Sequence, residues 1–589
     1  MSEEINQVEI KRHSLSHILA AAVKELYPSA KLAIGPAIDN GFYYDIDFGD
    51  QKIGDAELKE IEKKMAFLIK QNLKFERAEA PIAEAVKKEQ LANEVYKEEL
   101  ITDLGAKGET VVSYYTVGKF TDLCRGPHVE NTNKIKPGSY KLDKVAGAYW
   151  RGDENRPMLT RIYGLAFDTR EELDDYLKML AEAEKRDHRK LGKELNLFIF
   201  SDLVGKGLPL WTEKGSIIRR ELERFIVDEE IKRGYRHVYT PDIARLELYK
   251  TSGHYPYYKD SMYAPIKIDE DEFMLRPMTC PHHFELYKSE QHSYRDLPVR
   301  IAELAKLYRY EQSGELTGLI RVRNFCLADA HVVARLGQAE SEINRALDLI
   351  EYAVKVLGFE ANKDYRYRLS LGDRKDEKKY FKDDAAWDQA EETLRSVLQG
   401  RQVESYEAEG EAAFYGPKID IQMKNVFGKE DTAFTVQYDF VMPKRFKLEY
   451  TNEQGKAEEP IVIHRSSIGA IERIIAFIIE KYAGSFPLWL SPVQVQLIAV
   501  AESHVAHCQK LQEELLSYGL RAQVDDSDAT VGNKIRQAVG ERVPYMLVIG
   551  DKEMESTKLA VRARGSQDTV EYEKADFVQK LLADLKNYL

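Results

Sequence analysis

Three residues far apart in the chain, Cys280, His331 and His464, each sit in a segment suited to chemistry. A fold that uses them together must bring three distant stretches to one point. Cys280 lies in Leu275-Arg-Pro-Met-Thr-Cys-Pro-His-His283. His331 closes Val322-Arg-Asn-Phe-Cys-Leu-Ala-Asp-Ala-His331, and His464 opens His464-Arg-Ser-Ser-Ile-Gly-Ala-Ile-Glu-Arg473. One thiolate and two imidazoles suit Zn²⁺, and three protein ligands leave a fourth position open to a substrate. Taken singly, each residue is more often a small core hydrophobe or a satisfied histidine.

At 589 residues the chain has room for three or four domains, and 43% apolar residues are ample for real cores. The net charge of −13 excludes a generic polyanion binder, so any nucleic-acid contact must come from local basic patches. The cysteines Cys124, Cys280, Cys326 and Cys508 are scattered and show no disulfide framework, which fits a reducing cytoplasm. No apolar run reaches the roughly 18 residues of a membrane span. The opening Met-Ser-Glu-Glu-Ile-Asn lacks the basic-then-apolar layout of a signal peptide. A soluble cytoplasmic protein is expected.

Residues 1–168 mix short helices with strands such as Gly41–Phe48 and Val111–Val117. Residues 169–194 are highly charged and read as a solvated connecting helix. Residues 195–490 alternate helices, strands and turns without a βαβ rhythm, which argues for an antiparallel sheet. From 491 to 589 the texture changes: Val493–Val500, Arg521–Val524 and Tyr545–Ile549 read as short strands with helices between them, a small α/β domain. The fold class expected is α+β, multidomain.

The two commonest nucleotide cradles, Gly-x-x-x-x-Gly-Lys-Ser/Thr and Gly-x-Gly-x-x-Gly after a strand, are absent. Phosphates would have to be held by arginines, which offer planar, permanently charged forks. Leu307–Arg323 suits that task, with two strand-like runs around a Gly- and Ser-rich loop. The period of two puts Arg309 and Glu311 on one face of the first run, and Arg321 and Arg323 on one face of the second. An edge hairpin with solvated charges is the alternative. Gly469–Glu480 is apolar nearly all round and reads as a buried helix, in which Arg473 is costly unless it meets an anion or pairs with Glu472 or Glu480.

Near the N-terminus, His13-Ser-Leu-Ser-His17 opens a helix whose apolar side carries Leu15, Ile18, Leu19, Ala22, Val23 and Leu26. At 100° per residue the two histidines fall about 40° apart and project together away from that side. Asp122-Leu-Cys-Arg-Gly-Pro-His128 supplies a second pair, Cys124 and His128. Four such ligands make either a closed structural zinc site or a hydrolytic pocket that positions water.

Together these segments resemble the class II aminoacyl-tRNA synthetases, and within them the threonyl-tRNA synthetases, over essentially the whole chain. The class motifs correspond to Gly234–Pro241, to Arg309-Tyr-Glu311 with its loop, and to Gly469–Arg473. The class I signatures are absent. The resemblance implies an N-terminal α+β editing domain, a central antiparallel-sheet catalytic domain and a C-terminal α/β anticodon-binding domain. It implies that Arg309 holds the α-phosphate of ATP, Glu311 the adenine amino group and Arg473 the γ-phosphate, with Arg321 beside them. It also implies that Tyr415 and Lys418 belong to a substrate-side loop and that His254 assists transfer at the terminal ribose. Motif 1 implies a homodimer. The partners implied are ATP with Mg²⁺, L-threonine and tRNA(Thr), with no membrane.

In that light the zinc has a physical purpose, one ion per subunit in the catalytic domain. An apolar pocket separates threonine poorly from isosteric valine, whereas an open metal position can take both the amino group and the hydroxyl of threonine. Asp329 could accept a hydrogen bond from the same hydroxyl. Serine satisfies the same chemistry, so a second site must remove seryl-tRNA. The resemblance gives that task to His13, His17, Cys124 and His128 as a metal-free hydrolase site. In the C-terminal domain acidic residues outnumber basic ones; the resemblance assigns Glu555 and Arg564 to the anticodon bases.

Three departures from the family pattern stand out. The small ubiquitin-like domain common there does not precede the His13 helix. Leu327 replaces a polar group near the amino-acid carboxylate, and Asp431-Thr432 replaces a Trp-Gln pair. Alternative readings are a non-catalytic paralogue that binds tRNA or mRNA, a trans-editing hydrolase with a degenerate synthetase body, and a serine- or proline-specific synthetase.

Overall fold

A computed structural model describes residues 7–589; the opening hexapeptide weighed above as a signal peptide lies outside them. Close contacts divide the chain into two units, one ending at Ala181 and the other running Glu182–Leu589.

In the first unit the helix Gln7–Leu26 lies against the sheet strand Gly41–Asp47 and the helix Asp55–Lys70. That sheet runs Lys31–Leu32, Gly41–Asp47, Met158–Ala166, Tyr140–Tyr149, all antiparallel, with Ala37–Ile38 paired to the second strand. A separate antiparallel sheet joins Phe75–Pro81, Val111–Val117 and Phe120–Leu123. Residues Ser14–Val23 of the first helix are all buried, so its middle has no solvated side. The expectation that His13 and His17 point away from the core is therefore corrected. The helix is covered on the histidine side by the smaller sheet, and His17 is only 2% exposed.

The charged connector also differs from expectation. It is two helices, Arg170–Arg186 and His188–Glu194, broken at Asp187, whose carboxylate caps the second by accepting from the Arg189 amide. The first is amphipathic and largely solvated, whereas His188, Leu191 and Gly192 are buried in the second unit.

The second unit is built on an eight-stranded sheet in the order Arg236–His237, Val299–Tyr308, Asn324–Ala334, Ile461–Ala470, Glu430–Asp439, Lys418–Lys424, Tyr365–Leu371, Ser405–Glu409. All six interior strands pair antiparallel and only the two short edge strands run parallel to their neighbours. One face is sealed by the helices Ala339–Val356, Ile471–Tyr482 and Glu213–Lys232 over a large aliphatic core. The other face is open enough to carry polar side chains. The C-terminal five-stranded sheet runs Ala522–Asp525, Val495–Ala499, Tyr545–Ile549, Lys558–Ala563, Thr569–Glu573, parallel through its first three strands. It is held to the large sheet's helices by the stack Phe225–Trp489–Tyr588 and by the ion pairs Lys214–Glu541 and Arg521–Glu221.

Candidate active site

Register places the first ligands. His331 and His464 are directly opposed partners on neighbouring antiparallel strands, so both rings stand on one face. Cys280 is the first residue of the helix Cys280–Lys288, which packs against that face through Phe284. One ligand atom from each of Cys280, His331 and His464 lies within 4.8 Å of the others, and all three residues are buried.

The donor set fits a metal ion better than a bare polar core. Burial pushes the Cys280 thiol up, and the charge of Asp329 adds to that. Burial pushes the His331 imidazole well down, with His464 contributing. Such a group of neutral donors gains from a cation among them. His464 Nε2 lies 2.6 Å from Asp439 Oδ2, so its other nitrogen is left for the ion.

These residues line one cleft of about 840 Å³ with His254, Arg309, Glu311, Arg321, Leu327, Asp329, Tyr415, Lys418 and Arg473. Of the catalytic-domain residues singled out in the sequence, the three donors, Arg309, Glu311, Arg321, Asp329, Tyr415, Lys418, Arg473 and His254 open on the same space, whereas Arg323 and Asp431 do not line it. Tyr415 stacks on His464 and donates to Gln437 Oε1 at 2.6 Å, which brings Gln437, missed in the sequence, into the lining. Lys418 pairs with Asp420, a fully buried carboxylate also gripped by Arg368 and Ser370 at 2.8 Å each.

The strand faces expected for the arginines are corrected. Val299–Tyr308 ends before Arg309, and Asn324–Ala334 begins after Arg323, so Arg309, Glu311, Arg321 and Arg323 all sit in the intervening loop. The loop is closed instead by the Arg309 amide donating to Arg323 O at 3.0 Å and by Arg321 Nε donating to Glu311 Oε2 at 2.8 Å. Arg473, at the start of Ile471–Tyr482, pairs with neither Glu472 nor Glu480. Glu472 is taken by Arg219 and Glu480 by His188. Arg473 donates to the carbonyls of Ile320 and Thr432. Burial lowers the pKa of both Arg309 and Arg473, the direction expected of cations that lack a full counter-charge. An anion entering the cleft would supply that charge.

His254 is buried above the same cleft. Ser252 Oγ donates to Tyr249 O at 3.0 Å, so at 2.8 Å it accepts from His254 Nδ1–H and leaves Nε2 as a lone pair. Burial, with His464 and Arg445 adding, pushes this imidazole down to about 3. It is a neutral base.

In the first unit His13, Cys124 and His128 gather with the Cys124 thiol 3.2 and 3.1 Å from the two Nε2 atoms. His17 is not one of that group; its Nε2 is buried without a partner and its ring packs edge-on to Phe75, Phe120 and His128. Burial pushes His17 down to about 4, His128 down to about 2 and Cys124 up to about 11. Cys124 opens on a cavity of about 690 Å³ lined also by Arg77, Ser113, Arg125 and Arg151. Behind the cluster lies a buried trio the sequence reading missed: Lys97 pairs with Asp122 at 2.7 Å, and Tyr44 donates to the same carboxylate. Asp122 stands beside Cys124 in sequence, so its segment was already in view. Lys97 carried no local signal.

Comparison with known proteins accounts for this arrangement. Residues 263–482 match the family described as "tRNA synthetase class II core domain (G, H, P, S and T)", and residues 494–584 match "Anticodon binding domain". Residues 112–163 match "Threonyl and Alanyl tRNA synthetase second additional domain". The chain is 49% identical to the threonine–tRNA ligase of Geobacillus sp. (strain WCH70) over 98% of its own length and 89% of that protein's. The chain belongs to the threonine–tRNA ligase family. Identity and coverage are the same against the threonine–tRNA ligase of Listeria monocytogenes serotype 4a (strain HCC23). Among solved structures, the RNA binding domain of threonyl-tRNA synthetase from Cryptosporidium parvum Iowa II matches at a TM-score of 0.64 and 35% identity, covering 67% of this chain and 98% of that one. The three matched segments follow in the order expected for editing, catalysis and anticodon binding in this ligase family.

In the C-terminal sheet Arg564 donates to the carbonyls of Arg542 and Phe486 at 2.9 Å, and Lys534 is buried against Ala499 O. Both cations already serve the fold. Glu555 ends the exposed helix Asp551–Glu555.

Proposed function

We propose that the chain is an ATP-dependent threonine–tRNA ligase that edits seryl-tRNA(Thr), with the cleft of the second unit as its synthetic site. The observation that carries this reading is one cleft lined both by the buried donors Cys280, His331 and His464 and by the incompletely countered arginines Arg309 and Arg473. Arg309 and Arg473 hold the phosphates of ATP, which requires Mg²⁺, and neutralise charge as the bond to pyrophosphate breaks. Arg321 and Glu311 close the loop over the nucleotide, and Lys418 is aimed at the substrate side by Asp420. Cys280, His331 and His464 would hold Zn²⁺, which offers an open position to the amino group and hydroxyl of threonine. Asp329 lies on the same strand face as His331 and accepts from that hydroxyl; Tyr415 closes the wall over His464. His254 Nε2 accepts a proton at the terminal ribose of tRNA during transfer.

Serine fits the same donors, so its product is hydrolysed in the first unit, where neutral His13 and His128 position water beside Cys124. Glu555 and Arg564 take part in reading anticodon bases. A homodimer forms through the Gly234–Pro241 stretch, in which Tyr239 is 93% exposed and after which Ile243 is 43% exposed. The described residues hold no helix long and apolar enough to cross a membrane, and the protein works in the cytoplasm.

The test is ATP–pyrophosphate exchange with threonine, serine and valine before and after zinc is stripped. Strong exchange with threonine, weaker with serine, none with valine, and loss without zinc is expected. No exchange with any of the three would overturn the reading.

A further inference from the structure

Beside Cys280, His331 and His464 runs a line of buried polar groups that do not line the cleft. His283 is fully buried on the helix that begins with Cys280, one turn further along the same face. Its Nδ1 lies 2.8 Å from His331 Nδ1, and its Nε2 lies 3.3 Å from Glu303 Oε2. Glu303 is directly opposite Asp329 on the neighbouring strand and is itself 2% exposed. Its carboxylate accepts from the Thr240 amide at 3.1 Å, the Thr240 hydroxyl at 2.7 Å and Arg276 Nη1 at 3.1 Å.

The directions of these bonds follow from what each group can do. A carboxylate saturated by donors only accepts, so His283 Nε2 carries the proton. In neutral imidazole the other nitrogen is then an acceptor, and His283 Nδ1 must receive from His331 Nδ1–H. That fixes the His331 tautomer and leaves Nε2 as the lone pair available to an ion shared with Cys280 and His464. Without the relay the ring would be free to hold its proton on either nitrogen.

We infer that His283 is a positioning residue for the metal, the middle of a relay Glu303–His283–His331 that holds His331 with Nε2 toward the ion. The inference rests on reading Cys280, His331 and His464 as a zinc site. Its purpose is to fix the ligand ring's proton, and with it the ring's orientation, before any metal arrives. Outer partners of metal-binding histidines act this way, and their loss costs about 10–100-fold in metal affinity. The relay predicts its own rescue. Glutamine at position 283 can accept from His331 through its carbonyl and donate to Glu303 through its amide, whereas leucine can do neither.

The experiment measures zinc affinity of the full-length protein by competition with a chromophoric chelator, for wild type, His283→Leu, His283→Gln and Cys280→Ser. One zinc in wild type, abolished in Cys280→Ser, weakened about 10–100-fold in His283→Leu and held within about threefold in His283→Gln is the expected pattern. Unchanged affinity in a folded His283→Leu protein overturns the relay while leaving the zinc site standing. No zinc in wild type removes the zinc site itself and the relay with it. Should the leucine variant fail to fold, ¹⁵N-histidine spectra of zinc-loaded wild type decide the matter. His331 with Nδ1 protonated and Nε2 metal-bound supports the relay, and the reverse assignment overturns it.

Discussion

Replacing Ser252 with alanine isolates transfer from activation. The Ser252 hydroxyl spends its proton on Tyr249 O and uses its lone pair to hold His254 Nδ1–H at 2.8 Å. Alanine leaves that N–H buried and unpaired, because both Ser252 and His254 are shut off from water. A buried donor without a partner costs about 1–3 kcal/mol. The ring relieves that cost by turning or by moving its proton to Nε2, and either response removes the base from the cleft. At about 1.4 kcal/mol per factor of ten, transfer should slow by roughly 5- to 150-fold.

The assay is single-turnover transfer from preformed threonyl-adenylate to tRNA, run beside pyrophosphate exchange. Exchange should stay within about twofold of wild type, since Ser252 touches neither Arg309, Arg473 nor the metal ligands. Ser252→Thr restores a hydroxyl and should recover most of the rate. Wild-type transfer in Ser252→Ala, with transfer lost in His254→Ala, would refute the role given to Ser252. Normal transfer in His254→Ala as well would instead refute the role given to His254. An equal fall in exchange and transfer would mean that the variant merely disturbs the fold.

Three further outcomes follow from the same geometry. Arg473→Gln removes a half-buried cation that lines the cleft and should cut threonine-dependent exchange by about 10²–10³-fold; a change under tenfold would place the phosphates elsewhere. Lys97→Met strands the Asp122 carboxylate in a buried site, at a cost of about 3–5 kcal/mol, and should abolish hydrolysis of seryl-tRNA while leaving exchange intact. Full seryl-tRNA hydrolysis in that variant would exclude the trio from editing. The first unit should also lose stability on acidification. His17 and His128 titrate in the folded state at about 4 and about 2, below the ordinary value near 6.5, so the unfolded chain binds more protons as pH falls below that value. Their contribution is complete above about pH 6.5 and fades as pH falls toward the folded values, by about 2 kcal/mol per histidine at pH 5. Hydrogen exchange in the helix Gln7–Leu26 of the full chain, corrected for intrinsic rates at pH 7 and pH 5, checks this. Equal protection at the two pH values would contradict it.

What the sequence disclosed depended on how local each signal was. Cys280, His331 and His464 were legible because thiol and imidazole carry their chemistry in their atoms, and the antiparallel core because strands and turns alternate without crossover helices. Arg309, Glu311 and Arg321 reach the cleft, but not in the shape expected. Side-chain period says which face a residue would take, not where the strand stops, and here both strands stop short of the arginines. The orientation of His13 and His17 failed for a related reason. A helix periodicity shows one apolar side but not the second sheet that covers the other. Lys97 was invisible because a lysine meaningful only beside Asp122 looks, in sequence, like any solvated cation.

The least legible layer is the one that sets protons, and it recurs at three sites with one logic. Within a helix a serine hydroxyl readily donates to the carbonyl three or four residues back. Ser14 donates to Ile10 O and Ser252 to Tyr249 O, so each has only a lone pair left for the histidine beside it. His128 Nδ1 lies 3.2 Å from Ser14 Oγ and His254 Nδ1 lies 2.8 Å from Ser252 Oγ, which puts both protons on Nδ1 and both lone pairs on Nε2, that of His128 facing the Cys124 thiol at 3.1 Å. Glu303 does the same to His283, and His283 passes the constraint to His331. In each case the acceptor is forced because its own proton is already committed to a stronger acceptor. The histidines proposed for editing, for transfer and for metal binding thus have their reactive nitrogen chosen in advance. A substitution that frees the committed proton should damage each site as surely as removing the histidine itself, though nothing in the outer residue touches a substrate.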